Sequence, residues 1–143
     1  MKIVEIILTN KDAADIVHTA VEGGTNYWAE VKNYNWKDWY EPDPTKPNIT
    51  YKSERIREDL PEDYIFVQIR EDDEQVEPER FSNTWIPVTR IMLEKGVKML
   101  LENMPHLIGH VDRDDEGGVE MDFDGTACDV IMQYAIFEEV VYG

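Results

Sequence analysis

Six aromatic side chains crowd the stretch from Glu22 to Tyr40 (EGGTNYWAEVKNYNWKDWY): Tyr27, Trp28, Tyr34, Trp36, Trp39 and Tyr40. Aromatic faces stack nucleobases, and each stack is worth about 1–3 kcal/mol. Lys32 and Lys37 are interleaved with them, and Lys46 and Lys52 follow. An ammonium beside a stacked base would meet a phosphate. Residues 37–48 contain three prolines, which forbid helix there and hold part of the stretch at the surface. We therefore expect Tyr27, Trp28, Lys32, Tyr34, Trp36, Trp39 and Tyr40 to line a pocket for a small nucleotide-type ligand. The competing use of each ring, taken singly, is as core.

A second chemistry is carried by acids. Residues 71–79 (EDDEQVEPE) hold six carboxylates in nine positions, and residues 105–124 hold seven more with three glycines. Glu71, Asp72, Asp73 and Glu74, with Asp112, Asp114, Asp115 and Glu116, define an expected acidic face. B-DNA carries one charge per about 1.7 Å of axis, so a face this dense would imitate DNA and occupy the basic groove of a host DNA-binding or nuclease protein. Plain solubility explains the same acids without any partner.

Other chemistries fail on spacing. Asp112, Asp114, Glu116 and Gly117 match the first, third, fifth and sixth positions of a calcium loop. The twelfth position, where a bidentate Glu must stand, is Phe123. His106 and His110 have the spacing of helical metal ligands, but Pro105 and Gly109 argue against a helix there. Cys128 has no neighbouring base to activate it and reads as core. Gly23-Gly24 and Gly117-Gly118 lack the spacing of a phosphate loop. No catalytic residue, metal site or cofactor is assigned.

At 143 residues with 42% apolar content, the chain is long enough for one folded domain spanning 1–143. A single cysteine suits a reducing compartment. The opening MKIVEIILTN does not resemble a signal peptide, and no apolar run is long enough to span a bilayer, so a cytoplasmic protein is expected. The net charge of −17 is uneven: residues 1–60 carry eight Lys/Arg against eleven Asp/Glu, and residues 61–143 carry six against twenty. A field of this sign repels nucleic acid and anionic membrane and attracts cations or basic proteins.

The pattern E-G-G-x-x-Y-W (Glu22, Gly23, Gly24, Tyr27, Trp28) and the ending F-x-E-V-V-Y-G (Phe137, Glu139, Val140, Val141, Tyr142, Gly143) resemble small uncharacterised proteins of bacteriophages and prophages. The resemblance implies a phage accessory protein in an infected bacterial host, where countering host defence is a common occupation. It carries no catalytic residue with it. Sequestering a nucleotide-derived immune signal, acting as a DNA mimic, or serving in assembly without a ligand are the functions in view. The apolar ending at Val140–Tyr142 offers a contact for a homo-oligomer.

The elements that must position these residues follow from periodicity and caps. Met1–Leu8 is β-branched and reads as a strand. Thr9 or Asn10 caps a helix over 11–22, Thr9 with Asp12 resembling a capping box, and its apolar face is Ala13, Ile16, Val17, Ala20 and Val21. Gly23 suits a left-handed cap. Residues 26–36 alternate, with Tyr27, Ala29 and Val31 facing the core. Residues 49–52 suggest a short strand, and Ser53–Leu60 a helical turn. Residues 64–70 (YIFVQIR) form the clearest strand, and Phe81–Pro87 is extended around Trp85. Thr89 caps a helix to Asn103 with Ile91, Leu93, Val97, Leu100, Leu101 and Met104 inward, and Gly96 inside it implies close packing. Residues 105–124 read as a linker. Asp124 then caps a helix to Phe137 with Ala127, Val130, Ile131 and Tyr134 inward. No repeat is visible, and the order predicts an α+β single domain: a mainly antiparallel sheet with about three helices packed on one face.

Overall fold

The computed structural model describes residues 5–41, 55–72, 83–107, 111–113, 119–121 and 124–142. The strand expected at 49–52, the cap expected at Ser53 and most of both acidic runs lie outside these residues.

Helix α1 spans Asn10–Gly23. Thr9 Oγ accepts the Asp12 N–H at 3.1 Å while the Asp12 carboxylate accepts the Thr9 N–H at 2.9 Å. This is a capping box with the acid one carbon shorter than usual. Its buried side chains include the five predicted. Residues 5–8 form no strand. The Leu8 N–H donates instead to Glu94 at 2.8 Å, tying the approach of α1 to a later helix.

Three antiparallel strands, β1 (Ala29–Lys32), β2 (Val67–Glu71) and β3 (Ile86–Val88), lie in that order in one sheet. Ala29 faces Glu71, Val31 faces Ile69 and Val67 faces Val88. Alternation then puts these residues and Ile86 on the inner face, and Glu30, Lys32, Gln68, Arg70 and Pro87 on the outer one. The strand predicted over 26–36 is thus only four residues long. Thr25–Tyr27 and Trp36–Trp39 are 3₁₀ turns. Tyr27 leaves the expected core face and is 75% exposed, and Val31, on an edge strand, is also exposed. Residues 55–60 form turns, with Ile56 bridged to Tyr40, rather than helix.

Helix α2 (Arg90–Asn103) is capped by Thr89 and buries Leu93, Gly96, Val97 and Leu100. Ile91, expected inward, is exposed in its first turn. Two further strands, β4 (Val111–Arg113) and β5 (Val119–Met121), pair antiparallel with Asp112 opposite Glu120. This hairpin corrects the linker reading of 105–124, since a strand pair here takes up backbone that composition alone leaves open.

Helix α3 (Gly125–Phe137) is capped by Asp124, which accepts the Ala127 N–H at 3.0 Å. From Ala127 to Ala135 every residue except Asp129 is buried, so α3 has no polar face and runs through the core. Its neighbours approach it through glycines. A Cβ on Gly23 would lie 3.0 Å from the Gly125 Cα, and one on Gly96 would lie 2.4 Å from the Ile131 carbonyl oxygen. Gly23 therefore serves backbone approach, not the left-handed cap predicted for it. Gly96 is close-packed as expected. The result is an α+β fold with three helices against an antiparallel sheet.

Candidate functional site

The aromatic stretch does not form one pocket; its backbone splits it. The 3₁₀ turn before β1 and the one after it send Trp28 and Trp36 to different places. Trp28 is 4% exposed and its indole N–H donates to Asp129 Oδ1 at 2.8 Å. Its ring stacks on Tyr142 and tilts against Phe137, with centroids 5.2 and 5.3 Å away. Trp39, at 2% exposure, is core and packs edge-on against Phe66. Trp39 is enclosed by its own chain and corrects the expected stacking platform, and Trp28, with one face stacked on Tyr142, leaves only a small part of its surface exposed. Tyr27, at 75% exposure, faces solvent.

Tyr34, Trp36 and Tyr40 do come together, half-buried, beside the last turns of α1. Trp36 is edge-on to Tyr40 and to His18, and the Lys37 ammonium lies 5.6 Å over its ring. Tyr34 Oη and Glu22 Oε2 each lie 2.7 Å from a nitrogen of His18. With its proton on Nε2, the imidazole donates to Glu22 and accepts from Tyr34. Burial, with Glu22 and Tyr40 nearby, pushes the Tyr34 phenol up and away from easy ionisation. Lys32 lies elsewhere, on the outer sheet face, 4.4 Å over Trp85. The Arg70 guanidinium sits 4.7 Å from the same ring and pairs with Glu30 across the strands.

Around Trp28 the structure assembles residues that periodicity did not single out. Asp129 Oδ1 also accepts the Thr25 hydroxyl at 2.8 Å, and Oδ2 accepts Gln133 Nε2 at 2.9 Å. Gln133 is fully buried and uses both ends of its amide. Nε2 also donates to the Tyr142 carbonyl at 2.7 Å, and Oε1 accepts the Val141 and Tyr142 N–H groups at 2.8 Å each. The Tyr142 hydroxyl then donates to Glu71 Oε1 at 2.7 Å. The chain ending expected as a subunit contact is thus folded back on its own helix and sheet. A polar pair four apart, Asp129 and Gln133, inside the most apolar helix was the available signal for this network.

Glu71 is a second correction. Placed on an acidic outer face by its run of neighbours, it ends β2 on the inner face at 7% exposure. The Asp72 N–H donates to the Trp28 carbonyl at 2.8 Å. Asp112 is in β4, and Asp73, Glu74, Asp114, Asp115 and Glu116 lie outside the described residues.

A cleft of about 320 Å³ opens where this network meets the sheet, lined by Trp28, Ile69, Glu71, Thr84, Ile86, Ile136 and Phe137. Of the seven described residues that line it, five are apolar or aromatic, Thr84 brings a hydroxyl and Glu71 a carboxylate. Such a lining accepts a compact apolar body and offers few polar anchors. Cys128 is buried in α3, and burial pushes its thiol up to about 12, which removes it as a nucleophile. Among the described residues no group of His, Cys, Asp and Glu is arranged to hold a metal ion, and no helix is long and apolar enough to cross a membrane. Comparison of the chain with protein-family models, curated proteins and solved structures found no match.

Proposed function

We propose that this chain acts by binding a small ligand in the cleft between the inner sheet face and the last turn of α3. One observation carries the reading. The cleft wall formed by Trp28 and Glu71 is held by the Thr25–Asp129–Gln133–Tyr142 network, so its shape is set before any ligand arrives. Preorganised walls lower the ordering cost of binding. The resemblance to phage proteins supplies a setting, an accessory protein that captures a small molecule during infection.

A second reading keeps the nucleotide-derived signal and rests on a different place. Half-buried Trp36, with Lys37 over its ring and His18 and Tyr40 at its edges, offers an aromatic surface beside a cation. The two readings are separable because each has its own tryptophan. In amide and indole N–H NMR spectra, cleft-sized fragments are expected to shift the Trp28 indole, and Ile136→Trp, which fills the cleft, is expected to abolish the shift. Nucleotides that move only the Trp36 indole would transfer the function to the second place. A library that disturbs neither indole would remove both.

A further inference from the structure

Away from the cleft, three titratable side chains stand in a line: the Glu22 carboxylate, the His18 imidazole and the Tyr34 hydroxyl, with 2.7 Å at each contact. We infer that Tyr34 is a nucleophile towards activated esters, with His18 as the base that takes its proton and Glu22 as the carboxylate that positions the imidazole. His18 and Glu22 are four apart on α1, so the helix itself sets their pairing. Tyr34 follows β1, where Asn33, in the left-handed region at φ 56°, turns the backbone. The Tyr34 ring is edge-on to the buried Trp39 at 5.6 Å, and Trp36 is edge-on to the imidazole. Hydroxyl and base are thus held together before any reaction. With Nε2–H donated to Glu22, Nδ1 faces the phenol as an acceptor, which is the tautomer able to take its proton. Burial, with Glu22 and Tyr40, holds the phenol protonated, so its reaction depends on such a base. His18 and Glu22 are exposed, and the reacting end lies where an electrophile can reach it. In the step, the Tyr34 oxygen bonds to the acyl carbon, the bond from that carbon to its leaving oxygen breaks, and the leaving group departs as its anion. The tyrosine proton passes to His18 Nδ1, and Glu22 balances the imidazolium until solvent removes the proton. Tyr34 is left as an ester, and nothing is oxidised or reduced.

The test treats the full chain with para-nitrophenyl acetate and follows acetylation of each tyrosine by mass spectrometry of its peptides. Tyr27, at 75% exposure, serves as the reference phenol in the same molecule. Tyr34 is expected to be acetylated about tenfold or more faster than Tyr27, a modest share of what a positioned base contributes. His18→Gln, at an exposed position, keeps a polar side chain that cannot take the proton, and should remove the advantage. Glu22→Ala should reduce it in part. Nitrogen NMR of the imidazole should show Nε2 protonated in the parent protein and a mixture of tautomers in Glu22→Ala, which a merely structural loss would not produce. Equal rates at Tyr34 and Tyr27, or a Tyr34 rate unchanged by His18→Gln, would reduce the three side chains to an ordinary surface hydrogen-bond network. Nitrophenolate release with no acetyl on Tyr34 would make His18 itself the nucleophile and overturn the assignment. The comparison of the two tyrosines is made on the unaltered chain, so it stands even if a variant does not fold.

Discussion

The ring of Tyr142 lies 5.2 Å from that of Trp28 with the two planes 16° apart, joining the turn after α1 to the far end of the chain. Each ring also spends its polar group on a carboxylate, Trp28 on Asp129 and Tyr142 on Glu71. The pair therefore couples α3, the sheet and the chain ending. Both sequence signatures, the one that includes Trp28 and the one that includes Tyr142, meet at this contact.

Removing the ring and removing its hydroxyl should have different costs. Tyr142→Phe keeps the stack and loses one hydrogen bond to a buried carboxylate, a loss of about 1–2 kcal/mol. Tyr142→Ala also loses the aromatic pair and its buried area, for a total of about 2–4 kcal/mol. Urea unfolding of the three proteins measures this. Equal losses would mean that the stack contributes nothing and that the ending is held by its backbone alone.

Gln133 makes that backbone attachment. In Gln133→Leu the side chain keeps its bulk, but the Val141 and Tyr142 N–H groups, the Tyr142 carbonyl and Asp129 Oδ2 each lose a partner. Water reaches the ending once it lifts away, so the cost should stop near about 2–4 kcal/mol rather than the sum of four buried losses. Hydrogen exchange offers the sharper readout. The amides of Val141 and Tyr142 should exchange far faster in the variant, while those of α1 keep their order of protection. Unchanged exchange at 141 and 142 would refute the role given to Gln133.

Gly96 is a case where helix propensity and packing point in opposite directions. Alanine is favoured over glycine inside a helix by about 1 kcal/mol. A Cβ at Gly96, however, would sit 2.4 Å from a backbone oxygen of α3, which cannot rotate away as a side-chain tip would. Packing should win. Gly96→Ala is expected to destabilise by about 1–3 kcal/mol as α2 and α3 move apart. A thermal midpoint at or above that of the parent protein would show that the helices part at little cost.

The glycine marks what a single sequence conveys here. The helices were legible because each carries its own start: Thr9 with Asp12, Thr89 and Asp124 all cap as expected. The strand expected over 64–70 was legible in part: Val67 and Ile69 share a face of β2 as alternation placed them, but β2 begins at Val67, and before it Phe66 is buried while Ile65 is exposed. What failed was the extension of that alternation beyond the ends of β1, where 3₁₀ turns shift the face of every side chain, so Tyr27 left the core and Trp28 entered it. The site was less legible than the fold. Its lining comes from β1's approach, β2, β3 and α3, and no local period links Ile69, Thr84 and Ile136. Burial of Glu71 was hidden by the acids around it, since composition shows a run of charge and only register shows which member turns inward.

Alkaline pH provides a test of the core that needs no ligand. The Cys128 thiol, ordinarily near 9.0, is pushed up to about 12 by burial, with a hydrogen bond involving Thr19 opposing the shift. Burial pushes the Tyr34 phenol in the same direction. Between these two thiol values the unfolded chain releases its proton while the folded chain retains it. The unfolded state then binds fewer protons, so stability falls as pH rises; the contribution is complete below pH 9.0 and is lost progressively towards about pH 12. Each pH unit in that window is worth up to about 1.4 kcal/mol for one group. Urea unfolding near pH 8 and again near pH 10.5 should therefore show a loss about 2 kcal/mol larger in the parent protein than in Cys128→Ala, whose other titrating groups are unchanged. Parallel losses in the two proteins would mean that the thiolate is accommodated in the folded state and that α3 is less tightly enclosed than its burial indicates.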